Sequence, residues 1–261
     1  MVKNLSVLNF EKRGVKMKVQ SLFLVFVLML FSVSIAFSAE EGLIGYWNFD
    51  EGKGDVAADS SGNKNDGKLI RSPEWVDGKF GKALKFDSAK TQKVEIQNSN
   101  SFAEITTAVT MAAWVNPANF SAWFSFGVKG DITYGMFINP SAYVRMHYSG
   151  GSTLDTAANT IKANEWTHVV GTYDGKTVKI YLNGEVKAEV NANAAIPANA
   201  SNFNIGGTLD LRDWFAGMID EYKLYNRGVT ADEVKVLMAG NTKAVDSVGK
   251  LAGTWAGIKR F

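Results

Sequence analysis

Oxygen-bearing side chains occur in two parts of the chain that a β-sheet could bring together. Asp50 ends a short apolar run and precedes a loop rich in Asp, Asn and Gly that holds Asn63 and Asn65, whereas Asp220 lies in an apolar run near the C-terminus. Calcium binds six to eight oxygens, which carboxylates, Asn side chains and backbone carbonyls provide. The same loop composition is also typical of Asx turns, in which side chains bond to nearby backbone. The residues alone therefore leave calcium binding and a self-bonded loop both open.

A second group of residues has the chemistry of a sugar-binding surface. Sugar rings stack on flat aromatic side chains while nearby polar groups bond to their hydroxyls. The middle of the chain is rich in such residues, and the candidate polar partners are Arg145, Asp155, Asp210, Arg212 and Asp213. The candidate ligand-binding residues are Trp123, Tyr134, Tyr143, Arg145, Tyr148 and Trp214, with His147 beside them. The alternative is that these rings fill the core, because aromatic residues make up 12 % of the chain and are more often buried than bound to ligand.

The sequence contains no recognisable catalytic motif. Retaining glycosidases hold two carboxyls about 5 Å apart, which two Glu on one strand face in an E-x-D-x-E segment would provide. The chain has no such segment and no G-x-S-x-G segment. Asp220 and Glu221 are adjacent, so a regular strand would direct them to opposite faces. With only two His residues, a zinc site built from several histidines is excluded. We predict no catalytic residues and no enzyme activity.

Composition and charge exclude other classes of protein. The 261 residues include 21 % charged residues, 25 Gly, 4 Pro and no Cys, which is typical of a globular protein and not of a disordered one. Without residues 1–38, the remaining 223 residues carry 23 basic and 25 acidic side chains, a net charge of −2. This charge does not favour nucleic-acid binding. The lack of Cys excludes disulfides and thiol-based metal sites.

The N-terminal segment has the pattern of an export signal. Five basic residues and one acidic residue precede the uncharged 17-residue run Ser21–Phe37, and Ala36 and Ser38 place small residues where a signal peptidase cleaves. We predict a signal peptide over residues 1–38, no membrane span after its cleavage, and a mature protein that is secreted or associated with the cell envelope. The alternative is an uncleaved anchor, because such a run is close to the lower length limit for spanning a bilayer.

The elements that must position these residues are β-strands. Short runs of β-branched and aromatic residues alternate with Gly, Asn and Asp, which is typical of an all-β sandwich. We predict strands at Leu43–Phe49, Ala83–Phe86, Lys93–Gln97, Val109–Val115, Trp123–Val128, Gly135–Ile138, Tyr143–Tyr148, Thr167–Tyr173, Val178–Leu182, Glu185–Val190, Phe203–Gly206 and Gly217–Tyr225. Asp174-Gly175 and Asn183-Gly184 predict two tight hairpins. Thr230 and Glu233 form a capping box that predicts a helix ending near Ala239.

Five segments, in order and spacing, resemble the laminin G-like domains of the concanavalin A-like lectin/glucanase superfamily. They are Gly42–Leu69, Gly78–Asp87, Val109–Pro117, Asn164–Glu185 and Phe215–Val234. The resemblance implies an all-β, two-sheet antiparallel jelly-roll β-sandwich with one short C-terminal helix. It also implies that Trp47, Trp114 and Trp166 lie in the core. A structural calcium (Ca2+) is implied where the first loop meets the last strand, with Asp50, Asn63, Asn65 and Asp220 as ligands.

These features together predict a signal peptide (1–38), a laminin G-like domain (39–240) and a C-terminal tail of unassigned role (241–261). Fold alone does not determine function, because members of the family bind sugars, proteins or lipids or act as spacers. We predict a non-catalytic exported module that binds a polysaccharide or glycoconjugate. One alternative is a module of the cell envelope that binds envelope proteins or is structural. The other is a glycoside hydrolase whose site has no recognised motif.

Overall fold

The structure is a computed structural model, and it describes residues 41–209 and 212–240. The predicted signal peptide and C-terminal tail lie outside these ranges. Within them, no helix is both long enough and apolar enough to cross a membrane.

Strands dominate the described part of the chain. The strands are β1 (Leu43–Trp47), β2 (Val56–Ala57), β3 (Gly67–Ile70), β4 (Glu74–Asp77), β5 (Lys82–Phe86), β6 (Lys93–Ile96), β7 (Val109–Pro117), β8 (Phe124–Lys129), β9 (Tyr134–Ile138), β10 (Val144–Ser149), β11 (Ser152–Asp155), β12 (Thr167–Tyr173), β13 (Thr177–Leu182), β14 (Glu185–Asn191), β15 (Phe203–Ile205) and β16 (Gly217–Tyr225). The helix α1 spans Ala231–Ala239, and two short 3₁₀ helices span Ser88–Lys90 and Asn100–Glu104.

The strands form two antiparallel sheets. Sheet A has the order β14-β13-β12-β7-β16-β5-β4, and β1 pairs with the second half of β16. Sheet B has the order β11-β10-β9-β8-β15-β6-β3-β2. The predicted two-sheet antiparallel sandwich is therefore confirmed.

The core lies between the two sheets and is rich in aromatic side chains. Trp47 from β1 stacks on Phe203 from β15 with ring centroids 6.1 Å apart. Tyr222 from β16 packs against the same Phe203 ring at 5.8 Å. Both sheets thus bury aromatic residues against each other, and this apolar burial helps to stabilise the sandwich.

Sequence patterns predicted the longer elements closely. All twelve predicted strands overlap observed ones, and the Asn183-Gly184 turn has φ of 50° and 85°, as a type I′ turn requires. The capping box of α1 forms as predicted, with Thr230 accepting from the Glu233 amide. Strands β2, β3, β4 and β11 were not predicted, because each has only two to four residues and lacks a clear apolar run.

Two of the three tryptophans expected in the core lie elsewhere. Trp47 is fully buried between the sheets. Trp114 is buried on the outer face of sheet A, where Phe80 packs on it edge-on at 6.1 Å. Trp166 is only half-buried, just before β12. The core position expected for Trp166 is therefore wrong, because Trp166 precedes β12, the strand whose alternate side chains face the core.

Candidate ligand-binding site

An ion pair lies at one end of sheet B, on the face away from the core. Arg145 of β10 and Asp155 of β11 are directly opposite each other in the antiparallel ladder. The Arg145 guanidinium donates from Nε and Nη2 to the two carboxylate oxygens of Asp155, both at 2.7 Å. This bidentate geometry fixes the plane of the guanidinium. The side chains remain 27 % and 33 % exposed, so solvent reaches the pair.

Two aromatic rings surround this ion pair. The Arg145 guanidinium lies over the Trp123 ring, 4.8 Å from its centroid. The Tyr143 ring is nearly perpendicular to that of Trp123, at 82° and 5.8 Å, and its hydroxyl accepts from Arg145 Nη2 at 3.3 Å. Trp123 and Tyr143 are both half-buried. We refer to Trp123, Tyr143, Arg145 and Asp155 as the Arg145 cluster.

Strand directions explain why these residues meet. Trp123 and Tyr143 are the residues immediately before β8 and β10, and alternate strands of an antiparallel sheet start at the same edge. Alternation along β10 buries Val144 and Met146 and turns Arg145 to the opposite face. All four residues were candidates from the sequence, but Arg145 was not paired with Asp155 because β11 was not predicted. The Gly150-Gly151 pair between them is the signal that could have indicated a hairpin.

His147 lies two residues along the same face of β10. Its ring contacts Phe137 edge-on at 5.2 Å, and its Nδ1 has no hydrogen-bond partner among the described residues. Burial lowers the pKa of His147 to about 4, and the neighbouring Arg145 charge adds to the lowering. The imidazole next to the Arg145 cluster is therefore uncharged at neutral pH.

The structure corrects the roles expected for Tyr134 and Tyr148. Both were ligand-contact candidates, but they are only 2 % and 9 % exposed. The Tyr134 ring packs on Phe203, and the Tyr148 ring packs on Tyr173. Tyr134 is in phase with the buried Met136 and Ile138, and Tyr148 with Val144 and Met146, so alternation places both rings in the core.

Trp214 is half-buried on the loop between β15 and β16. A Cβ atom at Gly207 would lie 2.4 Å from its ring, so only glycine allows this close packing. The preceding residue, Asp213, accepts the Ser125 amide at 2.7 Å through its carbonyl. This bond places the loop beside β8, the strand that follows Trp123.

A second group of polar residues, on the outer face of sheet A, is buried. We refer to Tyr46, Trp114, His168, Asp220 and Glu221 as the Asp220 cluster. Asp220 is 0 % and Glu221 6 % exposed. Asp220 Oδ2 accepts the Phe80 amide at 3.0 Å, and Glu221 accepts from the Tyr46 hydroxyl at 2.7 Å. Burial raises the pKa of Asp220 to about 7 and also raises that of Glu221.

A β-bulge overturns the prediction that Asp220 and Glu221 face opposite ways. Asp220 pairs with Trp114 and Lys223 with Ala112, so three steps in β16 match two in β7. Glu221 has a φ of 54°, which absorbs the extra residue. The side chains that face the core are therefore Ile219 before the bulge and Tyr222 after it, three residues apart instead of two. Both carboxyl groups, which lie between them in the sequence, are on the outer face.

The four residues predicted to bind calcium do not form one oxygen cage. Asn63 and Asn65 both direct their Nδ2 donors at the carbonyl of Ile44. The side-chain oxygen of Asn65 already accepts from the Ser99 hydroxyl. Asp50 accepts the Lys82 amide at 2.8 Å, and Asp220 accepts the Phe80 amide as described. Among the described residues, no group of three or more His, Cys, Asp or Glu side chains could hold a metal ion. The side chains of Asn63 and Asn65 thus take part in the self-bonded loop, whereas the buried Asp220 Oδ1 accepts no hydrogen bond among the described residues. Calcium binding by these four residues stays a prediction.

Asp59 organises this loop, a role that the sequence analysis did not assign. Its Oδ1 accepts the amides of Tyr46 and Ser61, and its Oδ2 accepts the amide of Asn65. Each bond uses a lone pair that a cation would need. The spacing D-S-S-G-N, with Asp followed two residues later by a Ser amide, is the Asx-turn signal for this arrangement.

Comparisons with solved structures show the same fold. Domain 4 of AbnA, a GH43 extracellular arabinanase from Geobacillus stearothermophilus solved with arabinotriose, has a TM-score of 0.61 at 20 % identity, over 75 % of this chain and 98 % of that one. The binding domain of botulinum neurotoxin DC, solved with SialylT, has a TM-score of 0.57 at 11 % identity, over 77 % of this chain and 52 % of that one. Trypanosoma rangeli sialidase gives 0.56 at 16 % identity, over 76 % and 32 %.

The sequence itself also matches a family. No curated protein sequence matches the chain. Residues 87–235, more than half of the chain, match the model of a laminin G family described as the concanavalin A-like lectin/glucanases superfamily. The matched region runs from the end of β5 into α1 and includes the whole Arg145 cluster. The chain belongs to this laminin G family of the concanavalin A-like lectin/glucanases superfamily.

Proposed function

We propose that this protein is a non-catalytic module that binds carbohydrate, as part of a polysaccharide or glycoconjugate, through the Arg145 cluster. The observation that carries the proposal is a partly solvent-exposed ion pair between Arg145 and Asp155, beside two half-buried aromatic rings. Aromatic faces bind the C–H faces of sugars, and a charged pair supplies directional bonds to hydroxyls. Domain 4 of the arabinanase, solved with arabinotriose, and the toxin binding domain, solved with SialylT, support a carbohydrate as the class of ligand.

The non-catalytic part of the proposal rests on the Asp220 cluster. Asp220 and Glu221 have raised pKa values, which is a property of many catalytic carboxyls. Both are nevertheless buried, and each bonds to a neighbouring strand or loop. Their burial argues for a structural role, because the β4–β5 turn lies against Asp220 and the Tyr46 hydroxyl lies against Glu221.

The location of the protein is also a proposal. The N-terminal pattern of basic residues followed by an uncharged run favours export, to the medium or to the cell envelope. Edman sequencing of the protein recovered from the producing cells would test this, since cleavage gives Ala39 as the first residue. An intact N-terminus would instead favour the membrane anchor.

Titration calorimetry with a panel of oligosaccharides, including arabinotriose, tests the carbohydrate proposal. Trp123→Ala should weaken binding of the best ligand at least tenfold, because it removes the stacking surface. Trp75→Ala is the matched control, since Trp75 is also half-buried but lies on β4 of sheet A. Equal loss in both variants, or no binding by the unaltered protein to any saccharide, would contradict the proposal.

A protein-interaction function is the second candidate, favoured by strand β14. This strand forms one edge of sheet A, and Val186 and Val190 are 45 % and 39 % exposed. Exposed edge strands can pair with a strand of another protein. Binding of an envelope protein that persists in Trp123→Ala but is lost when Val190 is replaced by Pro would favour this candidate.

A further inference from the structure

The bonds within the Arg145 cluster leave few groups available to a ligand. Nε and Nη2 of Arg145 bond to Asp155, and Nη2 also reaches the Tyr143 hydroxyl. The remaining guanidinium nitrogen, Nη1, takes part in none of these bonds. The Asp155 carboxylate oxygens have further lone pairs, because each carboxylate accepts about four hydrogen bonds. A donor and an acceptor group therefore remain, on opposite sides of the guanidinium.

The charge of the cluster is balanced internally. Arg145 is the one cation that strands β8–β11 place on the outer face of sheet B in the described ranges, since the Lys129 ammonium lies over the core residue Phe102. Asp155 neutralises Arg145 directly. His147 adds no charge at neutral pH, because burial lowers its pKa to about 4. A carboxylate-bearing ligand would thus meet Asp155 without an unpaired cation to bind it.

The aromatic rings restrict how a sugar can lie on the cluster. The Arg145 guanidinium covers one face of Trp123, so a sugar ring can stack only on the other face or on Tyr143. Stacked there, a sugar presents neighbouring hydroxyls at its rim. Each hydroxyl both donates and accepts, so the hydroxyls of a neutral sugar can bond to either the Nη1 donor or the Asp155 acceptor.

We propose that the Arg145 cluster selects neutral sugars and discriminates against sugar acids such as uronates and sialic acid. This inference rests on the proposed carbohydrate-binding function and specifies its ligand class. The Arg145–Asp155 pair is the specificity element, because it supplies both hydrogen-bonding groups while it cancels the charge that would attract an acid.

Calorimetry on the full chain with chemically matched probes tests the inference. Arabinotriose and galactotriose are the neutral probes, and trigalacturonate and 3′-sialyllactose are the acidic ones. Trigalacturonate differs from galactotriose mainly by its carboxylates. We expect at least one neutral probe to bind at least tenfold more tightly than either acidic probe. Acidic binding that equals or exceeds neutral binding, and that is lost in Trp123→Ala, would overturn the selectivity but leave the carbohydrate function intact.

The variant Asp155→Asn gives an independent readout. It removes the compensating charge at almost constant size, so neutral binding should fall at least fivefold while binding of trigalacturonate should rise at least fivefold. Glu189→Gln is the matched control, because it removes one carboxylate from an exposed pair with Lys179 on sheet A. Circular dichroism confirms that both variants fold.

Two further outcomes would overturn the inference. If Asp155→Asn and Glu189→Gln bind all four probes alike, the ion pair does not determine specificity. If trigalacturonate binds the unaltered protein and this binding depends on Arg212, the adjacent loop supplies a cation for acids. Absence of binding to all saccharides would refute the carbohydrate function itself and this inference with it.

Discussion

The Arg145 cluster and the Asp220 cluster both combine charged side chains with a tryptophan on the outer face of a sheet, but they differ in access to solvent. Arg145 and Asp155 keep about a third of their side-chain surface exposed and neutralise each other. Asp220 and Glu221 are buried, and their pKa values are raised because burial disfavours the charged form. Raised carboxyl pKa values therefore mark the cluster that holds the fold together. The accessible, charge-balanced cluster is the candidate binding site.

The buried bonds of Asp220 join distant parts of the chain. Its carboxylate fixes the β4–β5 turn to the last strand through the Phe80 amide, and Phe80 in turn packs on Trp114. The Arg145–Asp155 bond instead links neighbouring strands that the ladder already pairs. Losing the first bond should therefore cost stability, and losing the second should cost binding.

The largest stability effect is expected for Asp220→Ala. This change leaves the Phe80 amide without its buried acceptor, so we expect a loss of about 2 to 4 kcal/mol in the free energy of unfolding. Urea denaturation measures the loss. Saccharide binding at 25 °C should be unchanged as long as the variant is folded, and a tenfold weaker affinity would mean that the two clusters are coupled.

His168 should make the stability of this region depend on pH. Burial lowers the pKa of His168 to about 3, and the Lys223 charge adds to the lowering. The unfolded chain binds a proton near pH 6.5, so below that pH the unfolded state holds more protons and stability falls as pH decreases. Between pH 7 and 4.5 this single group should cost about 2 kcal/mol.

Comparison with His168→Phe isolates this contribution. Phenylalanine keeps a ring beside Trp114, which lies 5.2 Å from the His168 ring, but it does not titrate. Urea denaturation at pH 7 and 4.5 should show a smaller acid loss in the variant than in the unaltered protein. Equal losses in both proteins would show that other groups account for the acid sensitivity.

Arg145→Ala should have the opposite profile to Asp220→Ala. A solvent-reached ion pair contributes less than about 1 kcal/mol to stability, so the melting temperature should change little while saccharide affinity falls at least tenfold. Lys179→Ala, which removes the cation of another partly exposed pair, serves as the control and should retain affinity. A variant that loses stability and affinity together would show that the cluster is structural.

The smallest effect is expected from calcium. One carboxylate oxygen of Asp50, the side-chain oxygen of Asn65 and both carboxylate oxygens of Asp59 already accept hydrogen bonds, so we expect the same melting temperature in excess calcium and in EDTA. Differential scanning calorimetry of the metal-stripped protein makes the comparison. A calcium-dependent rise would mean that these side chains exchange their backbone partners for a cation, and it would restore the ligand set implied by the family resemblance.

The residues that could be assigned from sequence share one property, which is that local pattern decides their environment. Alternation in β13 separates the buried Val178 and Ile180 from the more exposed Thr177 and Lys179, and the Asn183-Gly184 turn specifies the following hairpin. The same rule, applied to β9 and β10, would have placed Tyr134 and Tyr148 in the core. Those two predictions were wrong because they used the type of residue and not its position in the alternation along the strand.

Other features depended on the tertiary structure because they arise from contacts between distant segments. No local signal shows that Glu221 adopts a φ of 54°, which moves both carboxyls to one face of β16. The acceptor roles of Asp50 and Asp220 depend on the β4–β5 turn, whose amides come from residues 82 and 80. Twelve of the sixteen described strands, the Asn183-Gly184 turn and the capped helix could be predicted from sequence, since they follow from short-range sterics and apolar periodicity. Which polar side chains are buried partners and which face solvent was decided only by the register and packing of the two sheets.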